Sequence, residues 1–365
     1  MKTNFLFGLI ALGLLFSSGC TGDKIEPEPV TNYDAEMKVE PKFMKTQNHG
    51  FPAPLFDLAT APNNDILIAD IGRGILNITG EVEISLPGVT SIDPIGRNSL
   101  WAVTSASESS ETEKDSGQGL YRVSKGKSRK LTNLFAFEAM YNPDNDDVNS
   151  NPYSVASLGG EAALVIDAGA NDLLKIDNQG NIEVVAIFPP ELVSTANIKS
   201  LAGCPGSGAM PCNLPPAIPT QAVPTSVVVG PDGYFYVGEL KGFPGPTGES
   251  NIWKVSPTAS GALCGSSADC VKAFDGGFTS IVDMTFGPDG RLYVVELDEK
   301  SWAAVEVLGI ITGGTIKACD TNTLECETIA SGIPLITAIT FDNDGNLWAT
   351  KNALIPDLAE VVKIQ

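Results

Sequence analysis

One histidine, His49, is all the imidazole this 365-residue chain carries. That scarcity nearly excludes a histidine-based catalytic triad and an imidazole-rich metal site. The chain also lacks a GxSxG nucleophile elbow and a CxxC pair, so the common serine-hydrolase and zinc signatures are missing. After residue 20 no apolar run is long enough to cross a bilayer. Positive charge is scarce as well: 23 Lys and Arg stand against 44 Asp and Glu, a formal charge of −21. This balance argues against nucleic acid and against docking on anionic lipid, and it suits solubility and attraction of cations. Any catalysis would have to rest on carboxylates, hydroxyls or a metal held by carboxylates.

What the chain has instead is a repeat. Residues 224–239 (PTSVVVGPDGYFYVGE), 281–296 (IVDMTFGPDGRLYVVE) and 336–350 (ITAITFDNDGNLWAT) share one pattern. Each is an apolar strand, a tight Asp-Gly turn and a second β-rich strand. Such units, recurring every roughly 40–60 residues, predict the blades of a β-propeller.

The N-terminus reads as an export signal. Lys2 precedes the apolar run 5–16, and Ser17, Ser18 and Gly19 lead into Cys20. The run is too short to span comfortably, and small residues before a cysteine resemble a bacterial lipoprotein lipobox, with Ser17 where leucine is usual. On this reading residues 1–19 are a signal peptide. Cys20 is then acylated, and the Pro- and acid-rich segment 20–36 is a lipidated tether. Loss of Lys2 takes the formal charge from −21 to −22. The expected location is the periplasm or cell surface, with the membrane engaged only through the lipid. An uncleaved N-terminal anchor is the competing reading.

Six cysteines then remain, in three close pairs: Cys204 and Cys212, Cys264 and Cys270, Cys319 and Cys326. Export implies an oxidising compartment and disulfides. Six cysteines permit 15 connectivities, and local pairing is favoured because short loops close at low entropic cost. A Cys319–Cys326 bridge would staple the outer edge of a blade.

The fold expectation is an all-β, six-bladed propeller over residues 37–365. The units fall at about 55–86, 89–134, 152–188, 223–275, 277–331 and 335–365. A Ser/Glu-rich insertion, 105–118, reads as a mobile loop in the second blade. A Pro/Gly/Ala insertion, 189–222, follows the third and holds the first cysteine pair. The last unit has three strands, so residues 37–45 are expected to supply its outer strand and close the ring. A loose leader is the alternative.

In a propeller the loops into the inner strands, and those between second and third strands, gather on one face. Four second strands end on an acid: Asp70, Asp167, Glu239 and Glu296; Thr104 and Lys351 take that place in the other two. Segments leading into the inner strands add Asn151, Thr225 and Asp283. Such a ring would attract cations or hydrogen-bond a polar ligand. The competing reading is that each acid caps a turn through local backbone N–H groups. Phe243 and Trp302, in loops on this face, are candidates to stack on a sugar or aromatic ligand. Trp101, Trp253 and Trp348 lie in strand patterns and read as core. Residues 342–346 (DNDGN) begin like a calcium loop but lack the glutamate at position twelve, which is Ala353, and read as a hairpin turn. The acidic run 142–149 (NPDNDDVN) could hold calcium, but its spacing also suits a solvated loop.

Residues 151–296 resemble the ScyD/ScyE family of exported bacterial propellers, which are similar in style to NHL-repeat propellers. The strings that carry the resemblance are 151–153 (NPY), 167–174 (DAGANDLL), 185–190 (VAIFPP), 223–227 (VPTSV), 236–244 (YVGELKGFP) and 279–290 (TSIVDMTFGPDG). Weaker outer units extend it over most of 51–365. The resemblance implies a non-cytosolic propeller and no settled reaction. Two functional readings follow. The first is an envelope binding or scaffolding module for a small molecule, glycan or envelope protein, working through the acidic face. The second is a hydrolase resembling the gluconolactonase type, with a divalent cation such as calcium held by Asn151, Glu239, Asp283 and Glu296.

Overall fold

The structure, a computed structural model, describes residues 43–44, 50–96, 98–105 and 117–364. The segments expected to be signal peptide (1–19) and tether (20–36), and most of the 105–118 insertion, lie outside these residues. Six sheets build a six-bladed propeller; four run as four antiparallel strands in sequence order, blade 3 gains a parallel edge strand, and blade 6 takes its outermost strand from residues 43–44. Blade 1 runs Leu55–Thr60, Ile66–Asp70, Gly74–Asn77 and Val82–Ser85. Blade 2 runs Val89–Gly96, Ser99–Thr104, Gly119–Ser124 and Lys127–Asn133. Blade 3 comprises Pro152–Ser157, Ala162–Asp167, Asp172–Asp177 and Ile182–Ile187, with Ala262–Leu263 added in parallel at its edge. Blade 4 uses Pro224–Val229, Phe235–Glu239, Ser250–Val255 and Cys270–Phe278. Blade 5 uses Ile281–Phe286, Leu292–Glu296, Gly314–Cys319 and Cys326–Ile333. Blade 6 has Ile339–Phe341, Leu347–Lys351 and Glu360–Ile364. Of segment 37–45, the described part is Phe43–Met44, which pairs antiparallel with Glu360–Ile364 as the outermost strand.

The Asp-Gly turns make these hairpins. Gly233, Gly290 and Gly345 sit at φ of 81°, 80° and 79°, a left-handed conformation that costs a side-chain-bearing residue energy. Apolar side chains of each sheet pack on the next blade. Leu58, Ile68 and Leu76 meet Ala338 and Val361 between blades 1 and 6, and Trp101, Leu120, Val165 and Leu174 fill the seam between blades 2 and 3. Trp101 and Trp253 are core, and Trp348 is partly buried against the cluster of blades 1 and 6.

The three cysteine pairs all close locally: Cys204–Cys212, Cys264–Cys270 and Cys319–Cys326. The last joins register partners of blade 5's third and fourth strands. Three such bridges mark an oxidising, exported setting, and among the described residues no helix is long and apolar enough to cross a membrane.

Among the described residues three short α-helices interrupt the all-β pattern: α1 (Leu134–Tyr141), α2 (Ala196–Leu201) and α3 (Trp302–Leu308). Asn133 caps α1 by accepting from the Ala136 N–H, and Asn142 ends it in a left-handed turn. The 189–222 insertion is a hairpin, Glu191–Ser194 against Ala217–Thr220, that carries α2 at its tip.

Candidate functional site

The channel is built by one repeated irregularity. In blades 1 to 5 the register between inner and second strand slips at the second inner-strand residue. Such a bulge re-aims the side chain it carries. At this position blades 2, 4 and 6 carry threonines. Thr90 Oγ1 donates to the Pro152 carbonyl at 2.8 Å, Thr225 to Ile281 at 2.6 Å and Thr337 to Leu55 at 2.8 Å, each reaching the following blade. Blades 1, 3 and 5 carry Phe56, Tyr153 and Val282, all buried in one cluster with Ile198 of α2 and Trp302 and Val305 of α3. Apolar side chains and two helices therefore fill the channel at the face where the sequence places a ring of acids.

One residue further along, side chains accept backbone N–H groups from the next blade. Asp57 Oδ2 takes Ile92 at 2.9 Å, Ser91 Oγ takes Val155 at 3.1 Å, Ser154 Oγ takes Val227 at 3.2 Å and Asp283 Oδ2 takes Ile339 at 2.8 Å. Blade 6 has Ala338 in this place and offers no acceptor, and Asp57 Oδ1 instead takes the Leu58 N–H of its own strand at 2.7 Å. Two residues down, Asp93 Oδ2 repeats the relay to Ser157 at 2.6 Å.

These strands enclose a cavity of about 420 Å³ that reaches the opposite face, among the Asp-Gly turns. Asp57, Asp93 and Asp283 line it, with no lysine or arginine on its wall. Burial pushes Asp57 up to about 6, against hydrogen bonds from Ser91, Ile92 and Leu58. Burial also raises Asp93 to about 7, with the Asp57 charge adding to it. Asp283 is held well above the ordinary carboxylate range by burial first and Asp57 next. The phenol of Tyr153 lies buried without a hydrogen-bond partner, and burial followed by the charges of Asp283, Glu306 and Asp57 raises it. Glu306, on α3, also has an unpartnered Oε1, and burial alone lifts it to about 8.

The acids singled out from the sequence are engaged elsewhere. Asp70 accepts the N–H groups of Gly72 and Arg73 and pairs with the Arg73 guanidinium at 2.8 Å. Asp167 accepts from Ser150 Oγ and from the N–H groups of Asn151, Gly169 and Ala170. Both are turn caps. Glu239 is fully buried, 2.6 Å from Lys241 Nζ, and accepts from Asn251 and Trp253. Glu296 pairs with Lys317 at 2.9 Å and takes the Thr279 N–H. Asn151 Oδ1 accepts from Ser105 Oγ at 2.7 Å. Of these, Asp283 alone reaches the channel cavity. The stacking expectation for the aromatics is corrected: Trp302 is 8% exposed with its indole N–H on the Lys241 carbonyl, and Phe243 packs on the same apolar cluster. Residues 342–346 form the expected hairpin turn, where Asp342 accepts from Asp344, Asn346 and Trp348. Sequence reading missed Asp57 and Asp93. Asp57 occupies the place in 55–58 (LFDL) that Asp283 occupies in 281–284 (IVDM), which is the signal that points to it.

No family model and no curated protein matches this chain. Solved structures do. A putative oxidoreductase (glucose dehydrogenase) from Thermus thermophilus is 15% identical, with 89% of this chain and 100% of that one covered at a TM-score of 0.52. A gluconolactonase from Xanthomonas campestris is 10% identical, with 87% and 88% covered at 0.52. Virginiamycin B lyase from Staphylococcus aureus is 14% identical, with 89% of each chain covered at 0.48. Likeness at this identity shows the propeller fold and leaves the chemistry to the site.

Proposed function

We propose that this chain is an exported binding module, tethered through lipid on Cys20, whose channel cavity receives a small cationic ligand bearing ammonium groups. The observation that carries the ligand class is the cavity wall: three carboxylates, with the Asp57 charge reaching both Asp93 and Asp283, and no basic side chain beside them. A cation supplies the counter-charge that the wall lacks, and the volume suits a small molecule. The lipobox-like Cys20, the three disulfides and the ScyD/ScyE-like strings support an envelope setting. A gluconolactonase-type hydrolase would need Asn151, Glu239, Asp283 and Glu296 on one ion. Each has its own separate partners, so this set lends that reading no support.

Titration calorimetry of residues 21–365 with putrescine, and with 1,4-butanediol as the uncharged control, tests the proposal. One diamine should bind per chain at pH 8, more weakly at pH 5 where the acids are protonated, and the diol should not bind. Loss of binding in a folded Asp57→Asn/Asp283→Asn variant would place the ligand in the channel. No diamine heat at either pH, or undiminished binding in that variant, overturns it.

A further inference from the structure

We infer that the connection between blades 2 and 3 holds a calcium ion, with Glu138 and Asp172 as its charged ligands and the amide oxygens of Gln118 and Asn142 as neutral ones. Glu138 is the only charged residue of α1, and it is 1% exposed. Asp172 opens the third strand of blade 3 and is 0% exposed. Neither oxygen of either carboxylate has a hydrogen-bond partner. The Asn149 N–H acts on Glu138 most weakly of the groups around it, without closing a hydrogen bond. Gln118 Oε1 and Asn142 Oδ1 are likewise buried without a donor. All six atoms are acceptors. Asp57, Asp167 and Asp283 recruit donors, Asp167 four of them, whereas here both oxygens of two carboxylates go without. Leaving such groups bare is costly, and a cation is the partner that satisfies acceptors alone.

The surroundings draw these groups together. Gln118 Nε2 donates to the Ser150 carbonyl, Ser150 Oγ donates to Asp167, and the charges acting on Asp172 are those of Asp167, Glu138 and Asp144. Asp144, in the acidic run 142–149, is held by Asn171 Nδ2 at 3.1 Å, and Asn171 Oδ1 accepts the Val223 N–H at the start of blade 4. Among the described residues no three Asp, Glu, His or Cys side chains already stand as a ready metal cluster. The site therefore rests on two carboxylates completed by amide oxygens, whose charge balances one divalent ion. An all-oxygen donor set of this kind selects calcium over zinc or copper, and its irregular loop suits calcium better than the rigid octahedron of magnesium.

The test is calorimetric titration of chelator-treated residues 21–365 with CaCl₂, beside thermal unfolding at rising calcium. One ion should bind per chain, and Tm should climb with its concentration. A Glu138→Gln/Asp172→Asn variant should bind about 100-fold more weakly or not at all, since its charged ligands are gone. Asp93→Asn, in the channel, should leave calcium binding unchanged, which separates this site from the diamine cavity. Should the double variant fail to fold, Asp172→Asn alone serves, with the same weakening expected. No calcium heat and no rise in Tm for the unsubstituted protein, or undiminished calcium binding in the Glu138/Asp172 variants, overturns the inference.

Discussion

At the scale of single residues, the channel acids make stability depend on pH in an unusual direction. Asp57 and Asp93 have folded pKa values raised to about 6 and about 7, above the ordinary carboxylate. The native state therefore holds protons that the unfolded chain releases near pH 4, and stability is lost as pH rises from there through 7. Chemical denaturation at pH 5 and pH 8 should show this fall. Asp93→Asn keeps an oxygen for the Ser157 N–H and removes the charge, so it should gain roughly 2 kcal/mol at pH 8 and little at pH 5. A variant that loses stability at both would show that Asp93 is needed as a charge. These residues also mark how far the sequence is legible. Asp70, Asp167, Glu239 and Glu296 are correctly read as strand ends, but a strand end is both where a channel ligand and where a turn cap would stand. Which it becomes depends on donors such as the Gly169 and Ala170 N–H groups, whose positions no periodicity encodes.

At the scale of elements, the insertion hairpin is tied to blade 4 by charge. Lys241 Nζ, 1% exposed, lies 2.6 Å from Glu239 and 2.5 Å from Glu191 of the hairpin, and Asn251 Nδ2 bonds to both acids. Lys241→Met would strand a fully buried Glu239 carboxylate, at a cost of about 3–5 kcal/mol. Adding Glu239→Gln should recover most of that, because the charge that needed a partner is gone. Urea denaturation of the single and double variants checks this, and equal loss in both would mean that Lys241 acts through its packing alone. The sequence shows Lys241 two residues after Glu239 in a Pro/Gly-rich loop, but not Glu191, 50 residues back, nor Asn251 in the next strand, which complete the network. The helices escaped for a related reason. α3 carries Trp302 and Glu306 in a stretch too short for a clear helical period, and it is fixed by docking on the channel rather than by propensity.

At the scale of the whole molecule, repeat, blade number and disulfide pairing were all legible, because each is written locally. The Asp-Gly turns recur at matching places, and each of the six cysteines among the described residues meets its close neighbour in sequence. Among the described residues all three bridges are local in sequence; Cys264–Cys270 ties the short strand on blade 3's edge to the outer strand of blade 4. Each closes a short loop and is worth about 2–3 kcal/mol by chain entropy. Reduction with a phosphine should therefore lower Tm while leaving the far-ultraviolet spectrum and the Trp101 and Trp253 environments native at 25 °C. Collapse of that signature on reduction would show that the ring depends on its staples.

The seam between the last blade and the first has a temporal meaning. Phe43 and Met44 pair with Ile364 and Lys363, Phe51 bridges to Ala359, and Thr337 holds Leu55. A ribosome makes the first partner of each contact near the start of its work and the second near the end. The earliest strand must wait, unpaired, while five blades are made. Any truncated product, however well its finished blades stack, is left with an open edge.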